Sequence, residues 1–147
     1  MIAQLLIQYH VDCSAFLGGI SKNYNTNLLT GEGHYIVMEA DEFDRSFHRL
    51  NPLMAVVSSV DADHLDIYGD QQTMIKAYNE FCSKIRTGGK LFVNFRIKDK
   101  INIPAGITGY TYGSDPGSDY WYFEVINCKD YYCFNLRTPE GVIGELH

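Results

Sequence analysis

Two short acidic segments of this chain carry residue types that could bind a metal ion. The first begins at Glu39, directly after the apolar run 35–38, and the second spans residues 61–66, shortly after the apolar run 54–57. The second segment also contains His64. Carboxylate oxygens are the ligands that Mg²⁺ prefers, whereas imidazole suits softer metals. A site that combined Glu39 with His64 would therefore bind Mg²⁺ and would also accept Mn²⁺.

The elements that position these residues can be predicted from the apolar runs. Each run has the length of a buried strand and is too short for a typical helix, and the segment between them can form a short helix. Such a strand–helix–strand unit implies parallel strands. Ligands of parallel sheets bind beyond the carboxyl ends of the strands. The sequence therefore predicts that Glu39 and His64 lie on the same edge of one sheet.

Each acidic segment also has a simpler interpretation. Asp41, Glu42 and Asp44 crowd a predicted helix start, where negative charge is favourable, so the first cluster is equally a set of capping residues. Glu39 is its best ligand candidate because it lies nearest the strand. The segment 61–66 is equally a solvated polar loop, although so many neighbouring acids are costly unless a metal or a substrate ammonium lies beside them.

The remaining pattern predicts an α/β fold. We expect helices over residues 1–9 and after the N-cap Asp70, the latter stopped by Gly88-Gly89, and buried strands at 13–17 and 90–95. We expect residues 21–33 to form a long loop. Three aromatic segments follow residue 96, and we interpret them as antiparallel strands that serve for packing or for ligand stacking. The predicted fold is a mostly parallel sheet flanked by helices, with an added antiparallel aromatic hairpin region.

Composition sets limits on function. The 147 residues suffice for one domain with a core, and 46% apolar with 20% charged residues fits a globular chain. A net charge of −6 argues against a broad basic surface for nucleic acid. No apolar run approaches the roughly 20 residues of a membrane span. The four cysteines have no metal-site spacing, and we interpret them as buried free thiols of a reducing, cytoplasmic compartment.

Two motifs in the central stretch resemble a known family. They are Glu39-Ala-Asp-Glu-Phe-Asp-Arg-Ser-Phe47 and Asp61-Ala-Asp-His-Leu-Asp-Ile-Tyr-Gly69. Together they are similar to paired motifs in the central, ATP-binding domain of the Mur ligases, and the segment Phe16-Leu-Gly-Gly-Ile20 fits as well. The resemblance covers residues 1 to about 95. Ser58-Ser59 departs from the Thr-Asn of many members.

The resemblance implies a chemistry and a set of site residues. It implies ATP-dependent ligation of L-alanine to UDP-N-acetylmuramate in peptidoglycan precursor synthesis, through an acyl phosphate. ATP and Mg²⁺ are the implied cofactors, with Glu39 and His64 as metal ligands. Asp63 and Asp66 would orient His64. Asn27 would lie near the UDP-muramyl substrate.

The resemblance also implies a domain organisation. Residues 1–147 would be a partial central domain that lacks the family's upstream phosphate loop and its N- and C-terminal domains, so we expect the isolated chain to be inactive. Two other functions stay open at this point. One is a recycling ligase that joins UDP-N-acetylmuramate to a tripeptide, and the other is a non-enzymatic α/β binding module.

Overall fold

The structure is a computed structural model, and it describes residues 1–43, 45–61 and 65–147, with only the backbone at residues 65 and 66. The chain divides into two compact units, Met1–Phe47 and His48–His147. No helix in the described ranges is long and apolar enough to cross a membrane.

The first unit consists of one helix and a three-stranded sheet. In chain order the elements are α1 (Ile2–Gln8), β1 (Cys13–Ser21), β2 (Thr26–Leu29) and β3 (Tyr35–Met38). β1 is the central strand, antiparallel to β2 and parallel to β3. Alternate residues of β1 point to one face, so Cys13 and Ala15 are buried there together with Ala3 of α1.

The predicted loop over residues 21–33 is wrong in part, because the structure places β2 inside it. Asn25 adopts a positive φ of 56°, and the N–H groups of Tyr24 and Asn25 both donate to the Ser21 carbonyl. This tight turn sends the chain back along β1 as a hairpin. Strand β1 also runs through Gly18-Gly19, where we expected it to stop.

The second unit is built on a six-stranded sheet. Its strands are β4 (Met54–Val57), β5 (Lys90–Asn94), β6 (Thr108–Gly113), β7 (Tyr120–Asn127), β8 (Tyr132–Thr138) and β9 (Gly141–Leu146). They lie in chain order across the sheet; the first three pairings are parallel and the last two antiparallel. The α/β fold, with a mostly parallel sheet and a hairpin region, is therefore confirmed.

Two details of strand pairing differ from the prediction. The runs 35–38 and 54–57 belong to different sheets, since β3 pairs with β1 and β4 pairs with β5. The prediction that the two runs are parallel strands of one sheet, with Glu39 and His64 on its shared edge, is therefore wrong. The aromatic strands β6 and β7 were expected to be antiparallel but continue the parallel sheet. The reason is the connection after β5, whose 3-10 helix (Phe95–Lys100) and following loop return the chain so that Thr108 starts level with Lys90.

Two helices, α2 (Leu65–Tyr68) and α3 (Gln71–Ser83), separate β4 from β5. The N-cap prediction for α3 is confirmed, because the Asp70 carboxylate accepts the Thr73 N–H at 2.7 Å. Helix α3 ends at Ser83, five residues before the predicted glycine stop. The glycines serve the next turn instead: Gly88 has a φ of 81°, and a Cβ on Gly89 would lie 2.4 Å from the Leu53 carbonyl oxygen.

The core of the second unit is apolar and well buried. Met74 of α3 and the strand residues Leu91 and Val93 are at most 1% exposed. The aromatic rings of Phe92, Tyr110 and Tyr120 contact one another, with centroids 5.3–5.9 Å apart. These contacts support the packing interpretation for Tyr110 and Tyr120.

A short 3-10 helix, Ser46–Arg49, lies at the boundary between the units along the chain. Its presence confirms the short helix predicted between the two apolar runs.

Candidate functional site

Glu39 is positioned by the parallel pairing of β1 and β3. The register aligns Phe16 with Met38, and the Glu39 N–H continues the ladder by donating to the Phe16 carbonyl at 3.0 Å. Glu39 therefore stands at the carboxyl end of β3, on the edge of the first unit's sheet where ligands of parallel sheets bind.

The carboxylate of Glu39 is held against β1 by a backbone group. The Gly18 N–H donates to Glu39 Oε2 at 2.8 Å. A Cβ on Gly18 would lie 2.7 Å from Glu39 Oε1 and 2.9 Å from its Cδ, so only glycine leaves room for this arrangement. Hydrogen bonds to an ionised acceptor are stronger than neutral ones, so the bond fixes the direction of the carboxylate. The side chain remains exposed and keeps acceptor capacity for a cation.

The acids that follow Glu39 have a different role. Asp41 Oδ1 accepts the Phe43 N–H at 2.9 Å, and the Asp41 carbonyl accepts from the N–H of Phe47. Asp41 thus organises the turn that enters the 3-10 helix, as expected of a capping residue. Asp44 lies outside the described residues.

The second acidic segment follows β4 in the second unit. Ser59 Oγ donates to Asp61 Oδ2 at 2.5 Å and accepts the Asp61 N–H at 3.0 Å, so these two residues brace the start of the loop. Asp63 and His64 lie outside the described residues, and Asp66 is described only as a backbone position in α2. Their predicted roles as ligand and orienting groups remain predictions.

The structure thus places one predicted ligand and leaves the other outside its description. In the described ranges, no group of three or more His, Cys, Asp or Glu side chains is arranged to hold a metal ion. Asn27, the predicted substrate contact, is exposed in β2, the outer strand of the β1–β2 hairpin.

The sequence did not predict the roles of three residues near these strand ends. Gly18 was interpreted as a strand end, although the offset of 22 between β1 and β3 brings position 18 level with the residues just after Met38. Ser59 holds Asp61 through a hydroxyl two residues away. Asn94 ends β5 and its Oδ1 accepts the Arg96 N–H at 3.1 Å. An amide after an apolar run was the available signal for Asn94.

A further carboxylate of the second unit is fixed by hydrogen bonds. Asp119 Oδ2 accepts from both the N–H and the hydroxyl of Thr111, each at 2.7 Å. These two bonds, the backbone one first, lower the pKa of the Asp119 carboxyl below its usual value.

Parallel strands joined by connections that contain helices define an α/β domain. Comparison with known proteins makes this specific. Residues 19–144 match the Mur ligase middle domain. The chain therefore belongs to the Mur ligase family, as the motif resemblance predicted.

Curated relatives at about 40% identity are UDP-N-acetylmuramate–L-alanine ligases. The chain is 43% identical over 144 residues to the one from Phocaeicola vulgatus, covering 97% of this chain and 29% of the relative. It is 40% identical over 148 residues to one from Porphyromonas gingivalis, covering 99% of this chain and 32% of the relative. The chain thus spans about a third or less of the relatives' length.

Solved structures agree on the fold. The UDP-N-acetylmuramate-alanine ligase from Thermotoga maritima has a TM-score of 0.77 at 18% identity, covering 99% of this chain and 32% of that one. The UDP-N-acetylmuramate:L-alanyl-gamma-D-glutamyl-meso-diaminopimelate ligase from Neisseria meningitides has a TM-score of 0.78 at 17% identity, covering 96% of this chain and 48% of that one. At such identities the likeness concerns the fold alone.

Proposed function

We propose that the chain is part of the ATP-binding middle domain of a cytoplasmic enzyme that joins L-alanine to UDP-N-acetylmuramate in peptidoglycan precursor synthesis. The observation that carries this proposal is the identity of about 40% over nearly the whole chain to ligases of that name. The carboxylate of Glu39, held on the carboxyl edge of β3, supports the same conclusion.

The proposed reaction is ATP-driven amide formation. The substrate carboxylate attacks the γ-phosphorus of ATP and gives an acyl phosphate with release of ADP. The amine of L-alanine then attacks the acyl carbon and displaces phosphate. Transfers of this kind depend mainly on positioning and on neutralisation of charge.

In this reaction Glu39 and His64 would hold Mg²⁺, and the site would also accept Mn²⁺. The exposed, directed carboxylate of Glu39 fits a hard cation that binds through one or two carboxylates and substrate phosphates. When bound, the ion supplies Lewis-acid stabilisation of phosphate charge. The Gly18 N–H would direct the Glu39 carboxylate, and Asp63 and Asp66 would orient the His64 ring.

The other predicted contact is with the nucleotide sugar. Asn27 on β2 would donate or accept a hydrogen bond at UDP-N-acetylmuramate, since its amide is exposed on the hairpin.

The test is an activity assay of the full-length protein with UDP-N-acetylmuramate, ATP and either L-alanine or the tripeptide. We expect phosphate release that depends on L-alanine, and the tripeptide should be inert. Preference for the tripeptide would identify a recycling ligase, and no turnover with either would favour a binding module.

The 147-residue chain alone should release no phosphate in the same assay. Its sequence contains no Gly-x-x-Gly-Lys-Thr element to hold the ATP phosphates. Turnover by the isolated chain would contradict the proposed domain organisation.

A further inference from the structure

Two cysteines meet at the tip of the β7–β8 hairpin. Cys128 follows β7, Cys133 lies in β8, and their Sγ atoms are 2.9 Å apart. The hairpin fixes this approach, because the Cys128 N–H donates to the Tyr131 carbonyl at 2.8 Å and Ile126 is paired with Cys133. The sequence analysis interpreted all four cysteines as buried, which is wrong for this pair: both are only partly buried.

The sulfur atoms are close enough for a bond with little movement. A disulfide has an S–S distance of about 2.05 Å, so closure requires an approach of roughly 0.9 Å. The turn that brings them together is short and exposed, with Lys129 at a positive φ of 73°. A hairpin tip of this kind tolerates such an adjustment more easily than the packed interior of the sheet.

The other two cysteines differ from the hairpin pair in their exposure to solvent, which controls the reactivity of a thiol. Cys13 and Cys82 are at most 3% exposed, and burial raises the pKa of the Cys82 thiol to about 11. Buried thiols of this kind are inert to oxidants. Cys128 and Cys133 are accessible from solvent, so oxidation should select the hairpin pair.

The two sulfurs lie within hydrogen-bond distance, and either can be the donor. Contact with Cys128 raises the pKa of the Cys133 thiol. Whichever sulfur loses its proton can accept the S–H of the other, which stabilises the negative charge. Either cysteine can therefore attack first, and the other then resolves the product.

We propose that Cys128 and Cys133 are a modification site that forms a reversible intramolecular disulfide with hydrogen peroxide. One of the two thiols attacks a peroxide oxygen, the O–O bond breaks, and sulfenic acid and water form. The other thiol then attacks the sulfenic sulfur, the S–O bond breaks, and the second water leaves with that thiol's proton. The two sulfurs lose two electrons in total, and peroxide is reduced to two water molecules. A small-molecule thiol reverses the reaction by exchange.

The sequence provides a direct readout, because Lys129 lies between the two cysteines. Trypsin cleavage after Lys129 places Cys128 in peptide 101–129 and Cys133 in peptide 130–137. We would treat the 147-residue chain with hydrogen peroxide, alkylate free thiols, digest without reductant and analyse the peptides by mass spectrometry. The expected product is the two peptides joined, two hydrogens lighter than their sum, and separated by dithiothreitol.

Two controls are available, namely the two buried cysteines of the same chain and one matched variant. Cys13 and Cys82 should be alkylated only after unfolding in urea, so the count of free thiols in urea should fall from four to two. The Cys133→Ser variant should give no joined peptides, while its hairpin retains the same backbone pairing.

Three results would overturn the proposal. The first is separate, fully alkylated peptides after peroxide treatment that oxidises free cysteine under the same conditions. The second is joined peptides found only in a covalent dimer on a non-reducing gel. The third is a sulfinic acid on either cysteine in place of the joined product.

Discussion

The two units of this protein differ in the interactions found within each of them. In the first unit, α1 and β1 bury a cluster of small residues, Ala3, Cys13 and Ala15, and the Gly18 N–H holds the Glu39 carboxylate. Phe47, at the end of this unit, is also buried. The second unit buries large apolar side chains such as Met74 of α3 and Leu91 of β5. Because burial of apolar area stabilises a fold, we expect the second unit to supply more of the stability.

The largest expected effect is a loss of turnover, and it should come from Glu39→Ala in the full-length enzyme. Loss of a proposed metal ligand should lower turnover by more than the roughly 100-fold typical of an outer-sphere partner. The urea midpoint should stay close to that of the parent, because Glu39 is exposed. His64→Ala should lower turnover to a similar extent. Near-normal activity of either variant at saturating Mg²⁺ would refute its assignment as a ligand.

The free energy of unfolding should depend more on substitutions in the second unit than on those in the first. Leu91 is fully buried, so Leu91→Ala should cost about 3 kcal/mol of unfolding free energy. Leu17 is only partly buried in the first unit, and Leu17→Ala should cost about 1 kcal/mol or less. Urea unfolding followed by circular dichroism and by the fluorescence of Trp121, the only tryptophan, measures both. Equal costs for the two variants would remove the contrast between the cores.

A matched pair of glycine substitutions tests how Glu39 is held. A Cβ on Gly18 meets the Glu39 carboxylate, whereas one on Gly19 meets nothing within 4 Å. Gly18→Ala should therefore lower the activity of the full-length enzyme by about 10–100-fold, the range for groups that orient a metal ligand. Gly19→Ala should leave it nearly unchanged. If both variants are equally active, the contact between Gly18 and Glu39 has no part in function.

The smallest effect should be a pH dependence in the second unit. The pKa of Asp119 is lowered in the folded state, so its contribution to stability is complete above the usual value of 3.8 and is lost as pH falls through the lower folded pKa. Between about pH 6 and about pH 3, the urea midpoint should fall slightly less in Asp119→Asn than in the parent. An identical fall in both proteins would show that the bonds to Thr111 do not stabilise the charged form.

The sequence predicted the elements whose signals are local. The apolar stripe and Asp70 predicted α3, and the apolar runs predicted β3, β4 and β5. The paired motifs predicted the family, and the match of residues 19–144 to the Mur ligase middle domain confirms it. These signals are contained in a few neighbouring residues.

What the sequence did not predict depends on contacts between distant residues. Strand β2 forms because a turn at Asn25 returns the chain to β1, and composition alone indicated a loop. The direction of β6 depends on the path of the preceding connection, which apolar periodicity does not report. The contact between Gly18 and Glu39 depends on strand register, and so does the approach of Cys128 to Cys133.

The bond between Gly18 and Glu39 also limits how this protein can vary. Any side chain at position 18 would displace the glutamate, and a shorter acid at position 39 would withdraw its oxygens from the Gly18 amide. We therefore expect natural variants to change both positions together or neither.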